Sequence, residues 1–107
     1  VRGACVGLGL GLVLACDFAY AAESAFFSAA YIHLGTSPDG GLTHDLPRLL
    51  GPRRAMEFLV LGDRMPAREA AERGLINAVL PDDGLDAAIE RVVAKLGAAP
   101  TLAVGHT

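Results

Sequence analysis

The sequence predicts an α/β fold, and three observations support this prediction. Apolar segments with helical spacing alternate with short segments that resemble strands, which is typical of α/β proteins. Glycine and proline stand between many of these segments and indicate where they end. A glycine-rich stretch over residues 3–17 leads into an apolar run that stops at Asp17, and we expect the rest of the chain to be organised around it.

The glycine-rich stretch has three possible interpretations. Residues 1–3 are predicted to end a strand, residues 4–8 to form a loop and residues 9–16 to form a short buried helix. The first amides of such a helix lack partners within it, so they can bind an anion or a developing oxyanion. The pattern also fits a loop that merely packs a core helix. A secretion signal is the third interpretation, but the apolar run between Arg2 and Asp17 is shorter than the roughly 20 residues of a membrane span.

Two short strands and a long connection are predicted next. Residues 18–22 alternate large and small side chains, which is typical of a strand, and residues 26–27 predict another. Residues 28–41 form a long irregular connection, a kind of segment that is often functional. Within it, Pro38 and two following glycines predict a turn that holds Asp39.

Three helices and a strand are predicted after this turn. Leucines at helical spacing predict a helix over residues 42–50, and a second helix covers residues 53–61. A third helix runs from Pro66 to Arg73, with Gly74 as its C-terminal cap, and a strand follows over residues 76–80. The side chains expected to face the core from the first two helices are Leu42, Leu46, Leu49, Leu50, Met56, Leu59 and Val60.

A final amphipathic helix begins near Leu85 and ends at Gly97. Its apolar residues match the i, i+3, i+4, i+7 spacing, and Asp82 or Asp83 is expected to cap its N-terminus.

The composition indicates a folded chain. Of 107 residues, 52% are hydrophobic and 20% are charged, which favours a core-rich chain over a disordered one. The net charge of -3 gives no electrostatic reason to expect nucleic-acid binding. Cys5 and Cys16 lie among apolar residues, so we expect both to be buried free thiols. No Cys/His ligand spacing indicates a zinc site.

Taken in order, short motifs from residue 1 to about residue 100 resemble the enoyl-CoA hydratase/isomerase (crotonase) family. Each motif is weak alone, and their shared order and spacing carry the resemblance. The matching pieces are Val1-x-Gly3, Gly7-x-Gly9, Leu12-x-x-Ala15-Cys16-Asp17, Ala21-Ala22-Glu23-x-Ala25-x-Phe27, Leu34-Gly35-x-x-Pro38-Asp39-Gly40-Gly41, Leu46-Pro47-Arg48-Leu49-Leu50-Gly51, Ala55-Met56-Glu57, Leu61-Gly62-Asp63-Arg64, Ala67-x-Glu69-Ala70, Gly74-Leu75-Ile76-Asn77 and Val79-x-Pro81.

The resemblance implies a crotonase-like spiral of ββα repeats, of which this chain would be the C-terminal part. Residues 1–81 would belong to the catalytic core and residues 82–107 would start the helical oligomerisation region. The implied substrate is an acyl-CoA thioester, with no other cofactor, no metal and no nucleic-acid partner. The resemblance further implies a homotrimer or hexamer without a membrane span, and we expect a cytoplasmic location.

The resemblance also implies roles for individual residues. Family members stabilise a thioester enolate with two backbone amides, one of which matches Leu8, while Gly7 and Gly9 would keep the loop close to the thioester. Hydratases of the family use two glutamates, whose positions match Gly11 and Tyr31 here. Because neither residue is a carboxylate, ordinary hydration is not expected. Tyr31 is expected to line the acyl pocket or to donate a hydrogen bond to the substrate, and a simple role in the pocket wall or the core is the favoured alternative.

Asp39 is the remaining candidate acid/base. Several isomerase branches of the family carry a carboxylate at this position after the proline, and one carboxylate is enough to shift a double bond. The alternative is a structural role for Asp39 in a turn or as a helix cap. Three functions therefore stay open: a double-bond isomerase, another crotonase reaction with further groups supplied from outside this chain, and a non-catalytic or truncated member.

Overall fold

Five short strands and six α-helices make up the computed structural model, which describes residues 1–107. This architecture confirms the predicted α/β class. The strands are β1 (Ala4–Val6), β2 (Tyr20–Ala22), β3 (Phe26–Ser28), β4 (Met65–Pro66) and β5 (Ala78–Leu80). The helices are α1 (Leu8–Leu14), α2 (Leu42–Leu50), α3 (Pro52–Leu61), α4 (Ala67–Glu72), α5 (Leu85–Gly97) and α6 (Thr101–Gly105), and a 3-10 helix covers Tyr31–Leu34.

The strands form two small sheets. In the first sheet β3 lies in the centre, parallel to β1 and antiparallel to β4. In the second sheet β2 and β5 run parallel. A single hydrophobic core joins both sheets to the first four helices, and its largest fully buried side chains are Phe27, Leu10, Leu42 and Leu46. The site described below lies where α1 and α2 approach the end of β3.

The structure corrects the prediction for the first residues. Residues 4–6, predicted as a loop, form strand β1, because Cys5 pairs with Phe27 in the neighbouring strand. Such a short strand is defined by its partner rather than by its own sequence. Residues 1–3 are not in a strand, although the Val1 backbone nitrogen donates a hydrogen bond of 2.6 Å to the Tyr20 carbonyl. Helix α1 begins at Leu8, one residue earlier than predicted.

The core-facing sides of α2 and α3 are partly different from the prediction. Leu42, Leu46 and Leu50 are buried as expected, but Leu49 is exposed. In α3 the buried residues are Ala55 and Phe58, so the predicted core residues Met56 and Val60 lie on the exposed side. The helix has two possible apolar stripes, and its packing against α2 selects the one that carries Phe58. Leu59 is partly buried against the core, in agreement with the prediction.

Two cap predictions have different outcomes. Gly74 follows α4 with a φ of 78°, and its amide donates to the Ala71 carbonyl at 3.0 Å, so it ends the helix as expected. Helix α4 begins at Ala67 rather than at Pro66, which lies in β4. The N-cap of α5 is Gly84, not Asp82 or Asp83. The Asp82 carboxylate instead accepts hydrogen bonds from the backbone amide and the hydroxyl of Ser24.

The two cysteines lie in different environments. Cys5 is buried in β1, as predicted, and burial raises the pKa of its thiol. Cys16 is exposed, contrary to the prediction, because it follows the last turn of α1 on the side that faces away from the core. Its thiol donates a hydrogen bond of 3.2 Å to the Leu12 carbonyl.

Candidate active site

A sharp turn at Gly7 joins β1 to α1 and sets the position of the helix N-terminus. Gly7 has a φ of 56°, a value that glycine adopts without strain, and its amide donates to the Ser28 carbonyl at 3.1 Å. The amides of Leu10 and Gly11 both donate to the Gly7 carbonyl. The amides of Leu8 and Gly9 lie in the first turn, where no preceding helical carbonyl is available to them. They can therefore donate to a group outside the helix.

Tyr31 begins the 3-10 helix next to this turn. It is only 9% exposed, and a β-carbon at Gly7 would lie 3.8 Å from its hydroxyl oxygen. The preceding Ala30 has a φ of 58°, a left-handed conformation that is costly for alanine and that directs the chain into the 3-10 helix. The Tyr31 hydroxyl donates a hydrogen bond to Oδ1 of Asp39. That bond, followed by burial and by the negative charge of Asp39, raises the pKa of Tyr31.

Asp39 lies in an exposed turn just before α2. Its carbonyl accepts a hydrogen bond of 3.2 Å from the Leu42 amide, but its side chain caps no helix, because Gly41 is the N-cap of α2. The helix-cap alternative is therefore wrong, while the predicted turn is confirmed. The Tyr31 hydroxyl is the one donor that the Asp39 carboxylate has, so Oδ2 is free to accept a proton.

The turn that carries Asp39 packs directly on α1. A β-carbon at Gly11 would lie 2.6 Å from the Gly40 carbonyl oxygen, so only glycine fits there with the turn in this position. A β-carbon at Gly40 would lie 3.0 Å from Cδ1 of Leu8, whose side chain is 58% exposed. The structure thus brings the N-terminus of α1, Tyr31 and Asp39 into one cluster.

Gly9 makes no close side-chain contact in this cluster, and the two histidines nearby have partners of their own. Gly9 lies on the exposed side of α1, and a β-carbon there would have no atom within 4 Å. Nε2 of His33 donates a hydrogen bond of 3.1 Å to the Gly62 carbonyl, and Nδ1 of His44 pairs with Asp45 at 2.6 Å. No group of three or more His, Cys, Asp or Glu side chains is arranged to hold a metal ion.

The sequence did not predict two of the contacts that build the site. These are the hydrogen bond from Tyr31 to Asp39 and the close approach of Gly40 to Gly11. A glycine in the middle of a short apolar helix is a weak signal of close backbone approach, and it is the signal that could have indicated the second contact.

No helix of the structure combines the length and the apolar character that crossing a membrane requires.

Comparison with known proteins relates the whole chain to one enzyme family. The family model described as enoyl-CoA hydratase/isomerase matches residues 1–106. The 4-chlorobenzoyl coenzyme A dehalogenase-1 of an Arthrobacter species is 38% identical over 101 residues, which are 94% of this chain and 37% of that protein. The 1,2-epoxyphenylacetyl-CoA isomerase of Escherichia coli K12 is 38% identical over 105 residues, which are 98% of this chain and 40% of that protein.

The fold is likewise shared with solved structures. A crystal structure of an enoyl-CoA hydratase from Mycobacterium avium subsp. paratuberculosis K-10 superimposes with a TM-score of 0.94 and 40% identity. The match covers 96% of this chain and 42% of that one, and it confirms the crotonase-like fold. The chain therefore spans less than half the length of the relatives that it matches.

Proposed function

The chain belongs to the enoyl-CoA hydratase/isomerase family, and from this premise we propose that the protein binds an acyl-CoA thioester and shifts a double bond in it, as a Δ3,Δ2-type enoyl-CoA isomerase. Two relatives whose names contain a CoA thioester, a chlorobenzoyl-CoA and an epoxyphenylacetyl-CoA, support the substrate class. The observation that carries the choice of reaction is the Asp39 carboxylate, which accepts a hydrogen bond from Tyr31 on a turn that packs against α1.

In the proposed reaction Asp39 moves one proton along the substrate. Its carboxylate takes the proton from C2 of a 3-enoyl thioester, which breaks the C–H bond and leaves a dienolate. The Leu8 amide donates to the thioester oxygen as negative charge develops on it, a contribution that is about 3 to 4 kcal/mol per donor in measured cases. Asp39 then returns the proton to C4, and the double bond ends between C2 and C3. No other co-reactant is consumed.

Tyr31 and the two glycines support this chemistry without supplying a second acid or base. The Tyr31 hydroxyl holds Oδ1 of Asp39, which leaves Oδ2 for the proton. Gly7 gives the turn its left-handed φ, and Gly9 lets the thioester approach the first amides of α1 without a side chain in the way. Hydration would need a second carboxylate to activate water, and the implied hydratase positions hold Gly11 and Tyr31 instead.

The test replaces the Asp39 carboxylate by an amide of nearly the same shape. In the intact protein, Asp39→Asn should lower the rate of 3-enoyl-CoA to 2-enoyl-CoA conversion by about 10²- to 10⁴-fold, the usual range for a general acid/base. Binding of acyl-CoA should be retained. Asp86→Asn is the matched control, because that carboxylate lies on α5 and pairs with the exposed Arg2 at 2.9 Å. Undiminished turnover by Asp39→Asn would contradict the proposal.

A second candidate is a different reaction of an acyl-CoA substrate with catalytic groups from outside this chain. The match to a chlorobenzoyl-CoA dehalogenase over 94% of the chain favours it, since an aspartate carboxylate can also act as a nucleophile. Product analysis with 3-enoyl-CoA, 2-enoyl-CoA and 4-chlorobenzoyl-CoA would separate isomerisation, hydration and dehalogenation. Conversion of none of them would favour the non-catalytic alternative. The trimeric or hexameric assembly and the cytoplasmic location stay predictions.

A further inference from the structure

Gly11 is buried in the second turn of α1, and the surroundings leave no space for a side chain. A β-carbon there would lie 2.6 Å from the Gly40 carbonyl oxygen, 3.3 Å from the Gly40 carbonyl carbon and 3.1 Å from Cδ1 of Leu42. The nearest of these atoms is backbone, so no rotation of a side chain can relieve the contact. Gly9 lies two residues earlier in the same helix, and a β-carbon there would have no atom within 4 Å.

The Gly11 contact bears directly on Asp39, because Gly40 is the next residue along the chain. Residues 39–41 are exposed, so little other packing holds the turn against α1. On its other side the turn is held by the hydrogen bond between Asp39 and Tyr31. Besides the bond from the Leu42 amide to the Asp39 carbonyl, the carboxylate is therefore held by one side-chain hydrogen bond and by the close approach of Gly40 to Gly11.

We propose that Gly11 is a positioning residue: because it has no side chain, the Gly40 carbonyl closes on α1, and this contact holds the Asp39 carboxylate at the Tyr31 hydroxyl. As a contribution to turnover, this inference rests on the proposed function of Asp39; as a statement about where Asp39 is held, it does not. With a methyl group at position 11, the Gly40 oxygen must retreat by about 0.8 Å to reach an ordinary contact of 3.4 Å. The exposed turn gives way rather than the core, and Asp39 moves with it.

The kinetic test compares Gly11→Ala, Asp39→Asn and the double variant in the intact protein. A misplacement of about 1 Å can cost about 10²-fold in rate, so Gly11→Ala should lower kcat by about 10- to 100-fold and leave KM within a few-fold. Because Gly11 acts through Asp39, the double variant should be no slower than Asp39→Asn alone. A folded Gly11→Ala protein with unchanged kcat, or additive losses in the double variant, would overturn the inference.

A spectroscopic test reads the position of Asp39 without any reaction. In protein with ¹³C-labelled tyrosine, the Cζ resonance of Tyr31, assigned with Tyr31→Phe, reports the hydrogen bond to Asp39 at neutral pH. The Asp39→Asn variant gives the Tyr31 Cζ chemical shift in the absence of a carboxylate acceptor. The Tyr31 resonance of Gly11→Ala should move towards that value, while Gly9→Ala, which adds the same methyl group in open space, should leave it in place. An unmoved resonance in Gly11→Ala would overturn the inference.

The two tests keep this inference separate from the proposed function. An intact protein without isomerase activity contradicts the proposed function, and the tyrosine resonance still decides the role of Gly11. If Gly11→Ala is insoluble, Gly40→Ala tests whether the position of the turn sets the position of Asp39, since its φ of 58° strains alanine and its β-carbon would lie 3.0 Å from Leu8 Cδ1. A Tyr31 resonance that is unchanged in that variant would also overturn the inference.

Discussion

The hydrogen bond from Tyr31 to Asp39 can be tested by removing one oxygen atom. Tyr31→Phe keeps the buried ring and deletes the hydroxyl that holds Oδ1 of Asp39. Because Asp39 is exposed, water can replace the lost donor, and the carboxylate keeps its charge but not its fixed orientation. We therefore expect kcat for isomerisation to fall by about tenfold, clearly less than the roughly 10²- to 10⁴-fold expected for Asp39→Asn.

The same substitution should also change how stability depends on pH. The folded chain holds the phenolic proton of Tyr31 more tightly than the unfolded chain does, because the hydroxyl donates to Asp39 and is buried beside its charge. The pKa of Tyr31 is thus raised above its unfolded value of about 10. The resulting stabilisation is fully present below about pH 10 and is lost as the pH rises through the folded pKa. Tyr31→Phe has no such proton to lose.

Urea unfolding of the intact protein at about pH 8 and about pH 11 measures this effect. Wild type should have a larger free energy of unfolding than Tyr31→Phe at the lower pH. This difference in free energy should become smaller at the higher pH. In an Asp39→Asn background the difference should be small at both pH values, because the acceptor that raises the pKa most is gone. A difference that stays constant or widens between the two pH values would refute the reasoning.

The remaining predictions concern backbone fit and thiol exposure. Gly51 and Gly62 flank α3 with φ values of 78° and 69°, but only at Gly62 would a β-carbon meet neighbours, 2.7 Å from both Nε2 of His33 and Cγ2 of Ile32. Chemical denaturation should show that Gly51→Ala lowers the free energy of unfolding by about 1 kcal/mol and Gly62→Ala by about 2 kcal/mol, since both crowded side chains are exposed and can move away. Equal losses would contradict the close fit at Gly62. A thiol reagent should modify the exposed Cys16 in the native protein and the buried Cys5 only after unfolding, and Cys16→Ser should remove the fast phase. Rapid native modification of Cys5 would show that β1 is not packed as described.

The elements that the sequence predicted well are those whose signals are local. Helix α2 has both predicted ends, and α3 begins one residue early at Pro52, because amphipathic spacing and glycine or proline boundaries define both helices. Strands β1 and β4 were not predicted, because β1 lies within the glycine-rich stretch and β4 has only two residues, and both depend on pairing with β3. The exposed side of α3 could not be read from the sequence either. Its two apolar stripes are equivalent until α2 packs against one of them.

The site shows the same division between local and tertiary information. A turn that holds Asp39, and a helix with free amides after Gly7, follow from glycine and proline positions, and both are present. Tyr31 and Asp39 are eight residues apart in an irregular segment, so no spacing rule predicts that the turn folds back onto the tyrosine. The hydrogen bond between them depends on Gly11, which comes from a different part of the chain.

This dependence gives a physical reason why the site would hold one carboxylate rather than two. The resemblance places a hydratase glutamate at position 11, but in this structure the Gly40 carbonyl lies where the β-carbon of a side chain would be. A glutamate there would have to displace the turn that carries Asp39 from the position seen here. The glycine at position 11 and the aspartate at position 39 then belong together, because the proposed acid/base is brought to α1 by a backbone turn and not by a side chain of the helix itself.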